Sequence, residues 1–201
     1  SSMRNMKYMM HSLSELVNLN MSNCNLLDEF LEAVRLRPRF LSGGLNAVHG
    51  LKNVCIANNE GITDTGMMAL LKAPASDSLE KLDISGCIKV TDMALMTAVR
   101  SKAKFVNLKY LNISRLNITS LGIQQVAAVC LNLEVFIAQE TLINDPALTY
   151  IGNNLRKIRV FDIALSTLVT DDGMCALLDY DPFTIEEELE HKKRLMDLNG
   201  K

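Results

Sequence analysis

An α/β solenoid, with parallel strands along a concave face and helices on the convex side, is the fold class this chain predicts. Three observations carry it. A strand-turn-helix phrase recurs six times, starting at Leu16, Leu51, Leu79, Leu108, Leu133 and Ile158, at intervals of 35, 28, 29, 25 and 25 residues. Each copy places apolar residues three and five positions after its start. Each also carries a short polar residue twelve or thirteen positions on, where a helix can begin. A unit of this size cannot bury its apolar side alone, so neighbouring copies must stack.

The strands come first. The two apolar columns are Leu19, Val54, Leu82, Leu111, Phe136, Phe161 and Met21, Ile56, Ile84, Ile113, Ala138, Ile163. This spacing suits a short strand entered from a bend, with side chains alternating between two faces. The helix starts follow at Asp28, Asp64, Asp92, Ser120, Asp145 and Asp171, read as N-caps that accept from the unpaired N–H groups of a first turn. Pro146 after Asp145 suits a first helical position. Between strand and helix, eight residues after each start, lie Cys24, Asn59, Cys87, Leu116, Thr141 and Ser166. All but Leu116 can hydrogen-bond backbone in a bend. Asn117 is expected to take that role if its turn is shifted by one residue.

The copies Leu79–Leu95, with Ser85-Gly86-Cys87 and Val90-Thr91-Asp92, and Thr170-Asp171-Asp172-Gly173-Met174 resemble cysteine-containing leucine-rich repeats. So does Ala128-Val129-Cys130-Leu131-Asn132-Leu133, where a cysteine closes a helix before the next strand. The resemblance covers roughly residues 13–178. It implies a leucine-rich-repeat solenoid of the kind found in the substrate-binding domains of F-box proteins and in related free-standing proteins. Two departures stand out. Only two of the six ladder positions are cysteine, and residues 1–15 are too short to hold an F-box.

The expected organisation is an N-terminal cap or remnant of an earlier repeat over 1–15, the repeat domain over 16–180, and a C-terminal capping or interaction helix over 181–201. The long first interval holds Arg35, Arg37, Pro38 and Arg39, then Gly43-Gly44, and reads as a solvated loop after a helix that Pro38 ends. In the tail, Asp181-Pro182-Phe183 marks a break and Thr184 with Glu187 forms a capping-box pattern. Glu186, Glu187 and Glu188 then lie near a helix N-terminus and Lys192, Lys193 and Arg194 near its C-terminus, as the helix dipole favours. Ile185, Leu189 and Met196 make a thin apolar stripe. Capping the last repeat is the favoured role for this helix.

The 201 residues are 48% hydrophobic and 5% aromatic, which suits one domain with an aliphatic core. Eleven methionines read mainly as adaptable core filling. A net charge of −2 without a basic stripe argues against a nucleic-acid partner. No long apolar span or signal peptide is visible, so no membrane partner is expected. Five cysteines without CxxC spacing predict neither a disulfide framework nor a zinc site, and place the chain in a reducing compartment, cytoplasm or nucleus. Sequons at Asn20, Asn112 and Asn117 are expected accidents of an Asn- and Ser-rich repeat.

No catalytic constellation is found. His11, His49 and His191 share no face, and no GxSxG, P-loop or HExxH pattern occurs. Asp171-Asp172 reads as a helix start rather than a metal pair. No enzyme, cofactor or metal is therefore expected. Partner binding falls to the concave strand positions. The third position of each repeat supplies Asn18, Asn53, Lys81, Tyr110, Val135 and Val160. The fifth supplies Asn20, Cys55, Asp83, Asn112, Ile137 and Asp162, and turn positions add Ser85, Ser114, Arg115, Gln139 and Glu140. Six strands about 4.8 Å apart give a face roughly 24 Å across, enough for a peptide or one side of a small domain. Asn18, Asn20, Asn53, Lys81, Asp83, Tyr110, Asn112, Arg115, Val135, Ile137, Val160 and Asp162 are the candidate contacts. Tyr110 and Arg115 are of residue types that often anchor interfaces, and Val135, Ile137 and Val160 form an apolar stretch where a solvated strand would be polar.

The function expected is a non-enzymatic protein-interaction scaffold binding another protein or peptide. The resemblance implies substrate recognition linked to ubiquitin ligation. A GTPase-activating regulator of the leucine-rich type and a structural assembly factor are the alternatives. The oligomeric state is left open.

Overall fold

The computed structural model describes residues 16–35, 51–72, 78–100 and 105–178. The expected N-terminal cap, the arginine-bearing interruption beyond Arg35, the three histidines and the C-terminal helix lie outside these residues. Strands β1 (Asn18–Asn20), β2 (Asn53–Cys55), β3 (Lys81–Asp83), β4 (Tyr110–Asn112), β5 (Val135–Ile137) and β6 (Val160–Asp162) alternate with helices α1 (Asp28–Arg35), α2 (Asp64–Lys72), α3 (Asp92–Arg100), α4 (Ser120–Val129), α5 (Asp145–Asn154) and α6 (Asp171–Leu177). The strands form one parallel sheet in chain order. Like positions pair throughout: Leu19 with Val54, then Leu82, Leu111, Phe136 and Phe161. The fold class is the one expected, an open solenoid of six strand-helix units.

The core lies between the sheet and the helices. Val54, Leu82, Leu111 and Phe136 point inward from the strands, and Phe30, Met67, Leu95, Ile123 and Leu148 meet them from the helices. Met67 is buried, whereas Met93 and Met174 are exposed, so the methionines only partly serve as core.

Between strand and helix the chain turns through a left-handed residue in every repeat. Asn23, Asn58, Gly86, Arg115, Glu140 and Leu165 have φ between 52° and 70°. The reason is visible in the next repeat. The N–H groups of Asn23, Asn58, Gly86, Arg115 and Glu140 donate to the carbonyls of Ala57, Ser85, Ser114, Gln139 and Ala164, at 2.7–3.0 Å. Asparagine and glycine tolerate this conformation, whereas a leucine there is strained. Leu165 is 74% exposed, so its side chain returns little by burial. Leu165→Gly is therefore expected to stabilise the protein by about 0.5–1 kcal/mol, read by urea denaturation.

The polar ladder that follows behaves largely as expected. Asn59 is fully buried and its side-chain amide donates to the carbonyls of Met21, Ile56 and Ala57. Its Oδ1 accepts from the N–H groups of Cys24 and Leu26, at 3.1 and 2.9 Å. Cys87 Sγ donates to Ile56 O, and Thr141 Oγ1 to Ala138 O. Leu116 stays in register as an apolar member of the ladder, 3% exposed, and Asn117 is exposed. The one-residue shift considered for that turn does not occur.

The helix starts require a correction. Asp28, Asp64, Asp92, Ser120, Asp145 and Asp171 are the first helical residues, not the caps. The residue before each does the capping where a side-chain bond forms: Thr63, Thr91, Thr119 and Asn144 accept from N–H groups of the first turn. The aspartates instead join neighbouring repeats. Asp28 accepts from both N–H and Oγ1 of Thr63, at 2.8 and 2.6 Å. Asp64 does the same to Thr91, Asp92 to Thr119 and Asp145 to Thr170. Ser120, lacking a carboxylate, reaches Asn144 with its hydroxyl. The bonds from Thr170, side chain first and backbone second, hold the Asp145 carboxyl below its ordinary value.

At the strand-entry rim, second positions run Lys52, Glu80, Lys109, Glu134 and Arg159. Glu80 pairs with Lys52 at 2.9 Å and with Lys109 at 3.8 Å. The Lys52 bond leads in lowering its carboxyl pKa.

Candidate functional site

On the sheet's outward face the paired register produces two parallel columns. Third positions give Asn18, Asn53, Lys81, Tyr110, Val135 and Val160. Fifth positions give Asn20, Cys55, Asp83, Asn112, Ile137 and Asp162. In β2, β3, β4 and β5 the residue between the columns is buried and the flanking two are not, so both columns share the solvent-facing side. Over the first four strands this side forms an open groove of about 490 Å³, lined by Asn18, Leu19, Asn20, Asn53, Val54, Cys55, Lys81, Asp83 and Tyr110.

Six of the twelve residues expected at the contact line this groove: Asn18, Asn20, Asn53, Lys81, Asp83 and Tyr110. Asn112, Val135, Ile137, Val160 and Asp162 lie on the same sheet face but outside the groove. Val135 and Ile137 are half-buried and Val160 is 49% exposed, so the apolar stretch is open mainly at its last member. Arg115 is exposed but sits at a left-handed corner beyond β4.

The two columns differ chemically. Fifth-position side chains are largely spent on their own turns. Asn20 Oδ1 accepts from the N–H and hydroxyl of Ser22, at 3.1 and 2.8 Å. Asp83 does so from Ser85 and Asn112 from Ser114, with N–H distances of 3.0 and 3.1 Å. Asp162 accepts from Ala164 N–H and from Gln139 Nε2. Asn112 Nδ2 completes the link to Asp83 Oδ2 at 3.4 Å. These are side-chain-to-backbone turns that end the strand. Ser85 and Ser114, expected to face a partner, serve them instead. The pattern was readable as Asn/Asp-x-Ser at 20–22, 83–85 and 112–114, and it explains two of the three sequons as turn chemistry.

Third-position side chains are not tied down in this way. Asn53 Nδ2 donates to Asn18 Oδ1, which orients the first two amides. Lys81 is exposed and, among the described residues, enters no ion pair. Tyr110 stands beside it in register, half-buried. Desolvation, then the Asp83 charge, pushes the Tyr110 phenol upward, so it remains a neutral donor. The groove therefore offers amides, then a cation, then an aromatic edge. Cys55 Sγ lies 3.0 Å from Ser22 Oγ, and burial raises the Cys87 and Cys130 thiols. Among the described residues no group of three or more His, Cys, Asp or Glu could hold a metal ion, and no helix is long and apolar enough to cross a membrane.

The fold and this face place the chain in the class of leucine-rich-repeat solenoids. No protein-family model matches it, and no curated protein matches it in sequence. The yeast Rad7 structure, solved in complex with Elc1, matches with a TM-score of 0.61 at 18% identity, over 74% of this chain and 35% of that one. At that identity the likeness shows the fold alone, and this chain spans about a third of that neighbour's length. Leiomodin-1 actin-binding site 2 aligns over 100% of this chain and 98% of its own, at 12% identity, but its TM-score of 0.44 carries no argument.

Proposed function

We propose that this chain is a non-enzymatic protein-interaction module that holds a segment of another protein in the groove across β1–β4. One observation carries the reading: the third-position column presents Asn18, Asn53, Lys81 and Tyr110 side by side in an open groove, while the fifth-position column is held by its own turns. Paired side-chain amides suit the backbone of an unfolded or extended segment. Lys81, with no ion-pair partner among the described residues, suits a carboxylate on that segment. Tyr110 and the half-buried Val135 beyond it suit an apolar residue. The occupant is accordingly a peptide with an acidic residue followed by an apolar one, lying across the strands.

The finer reading is substrate recognition linked to ubiquitin ligation, in cytoplasm or nucleus, with neither nucleic acid nor membrane as partner. Its support is the resemblance of Leu79–Leu95 and Thr170–Met174 to the cysteine-containing repeats of F-box proteins. Captures from native extract with the full chain, with Lys81→Glu and with Tyr110→Ala test both levels. Each substitution is expected to weaken the specific partner about tenfold or more. Met93→Glu, on an exposed helix position, should leave it unchanged. A partner held equally by all four proteins would overturn the groove assignment. Absence of any cullin or adaptor component would remove only the ligase reading.

A further inference from the structure

The third-position column does not stop where the groove does. Beyond Lys81 and Tyr110 it continues in register through Val135 to Val160. Val135 is half-buried and Val160 is 49% exposed, so the sheet keeps an apolar floor for two more strands. The corner where that floor ends is basic. Arg156, Lys157 and Arg159 are all exposed there, in a chain whose net charge is −2. Lys157 donates to the side chain of Asn132. Arg159, immediately before Val160, enters no ion pair among the described residues.

The carboxylates nearby limit what can lie on this floor. Asp83 and Asp162 stand in the fifth-position column, so an acidic segment is repelled from that side and kept to the third positions and the strand-entry rim beside them. On that rim Glu80 is matched by Lys52 and Lys109. Glu134, next to Val135, has no ion-pair partner among the described residues. A carboxylate on the segment is therefore disfavoured midway, opposite Val135, and favoured at each end, at Lys81 and at Arg159.

Resting on the groove as the binding site, we propose that the segment held there carries a second acidic residue, bound by Arg159, with uncharged apolar residues between its two acids. From β3 to β6 the column crosses three strand spacings, about 14 Å, which an extended segment covers in about four or five residues at roughly 3.3 Å each. The ligand class is an extended segment with acidic ends and an apolar centre.

Selection from a random peptide library on the immobilised full chain tests this. The starting protein is expected to enrich peptides with two acidic residues about four or five positions apart. Arg159→Glu should lose the second acid and keep the first with its apolar neighbour, and Glu134→Lys should admit an acid at the centre. In fluorescence anisotropy, replacing the second acid of the most enriched peptide with serine should weaken binding about fivefold to the starting protein and less than about twofold to Arg159→Glu. Enriched peptides with one acid only, or the same two-acid peptides from Arg159→Glu, would overturn the second contact and leave the groove standing. No enrichment, or enrichment indifferent to Lys81→Glu and Tyr110→Ala, would remove the groove itself and this ligand with it.

Discussion

Replacing Asn59 with leucine is expected to destabilise the protein by about 3–5 kcal/mol, the larger share of a small domain's stability. Leucine matches the asparagine in shape, so little packing is lost. What is lost is a bond to each of three carbonyls and two N–H groups; Ala57 O keeps Asn23 N–H and Ile56 O keeps the Cys87 thiol, so Met21 O and the N–H groups of Cys24 and Leu26 lose most. Each buried group left unpaired costs about 1–3 kcal/mol before relaxation. Cys87→Ser should cost far less, because Cys87 makes one sulfur bond at 3.3 Å. Chemical denaturation of both variants checks the ordering. Equal effects would mean that the ladder is held by packing rather than by polar satisfaction.

Phe136→Ala is expected to cost about 3–5 kcal/mol as well, by a different route. Its side chain is fully buried, stacked in register between Leu111 and Phe161, with the Phe161 ring centroid 5.8 Å away. Truncation opens a cavity beside the least covered repeat. Because each unit contacts only its neighbours, the loss should be local. Amides of β5, β6, α5 and α6 should lose hydrogen-exchange protection while β2, β3 and α2 keep theirs. Uniform loss along the chain would show that the six units unfold as one.

The repeat starts, the strand register and each helix start to within one residue were legible because a solenoid repeats the same packing problem at each step. Leu82 and Phe136 occupy one column for one reason, and apolar spacing exposes it. The assignment of Asp92 as a cap failed for an instructive reason. Aspartate at a helix start satisfies local capping rules, but its carboxylate reaches Thr119 in the next repeat, an interaction with no signature in one unit alone. The signal lay in the recurring Thr-Asp pairs at 63–64, 91–92 and 170–171. The outward sheet face was legible by position, the bonding of its side chains less so. Asn20, Asp83 and Asn112 were placed on the correct face, yet their oxygens are held by Ser22, Ser85 and Ser114. Sequence periodicity reports direction, not whether a polar side chain is already bonded. Arg115 stands at the left-handed corner that each repeat needs, a backbone role its residue type does not announce.

The alternating rim of Lys52, Glu80 and Lys109 bears on how such a chain can change length. Exposed pairs of this kind are worth only about 0–1 kcal/mol each, but their signs are ordered. Deleting the unit that carries Glu80 would set Lys52 against Lys109. Deleting two adjacent units keeps opposite charges together. On this rim a single-unit deletion would therefore place like charges side by side, whereas a two-unit deletion would not.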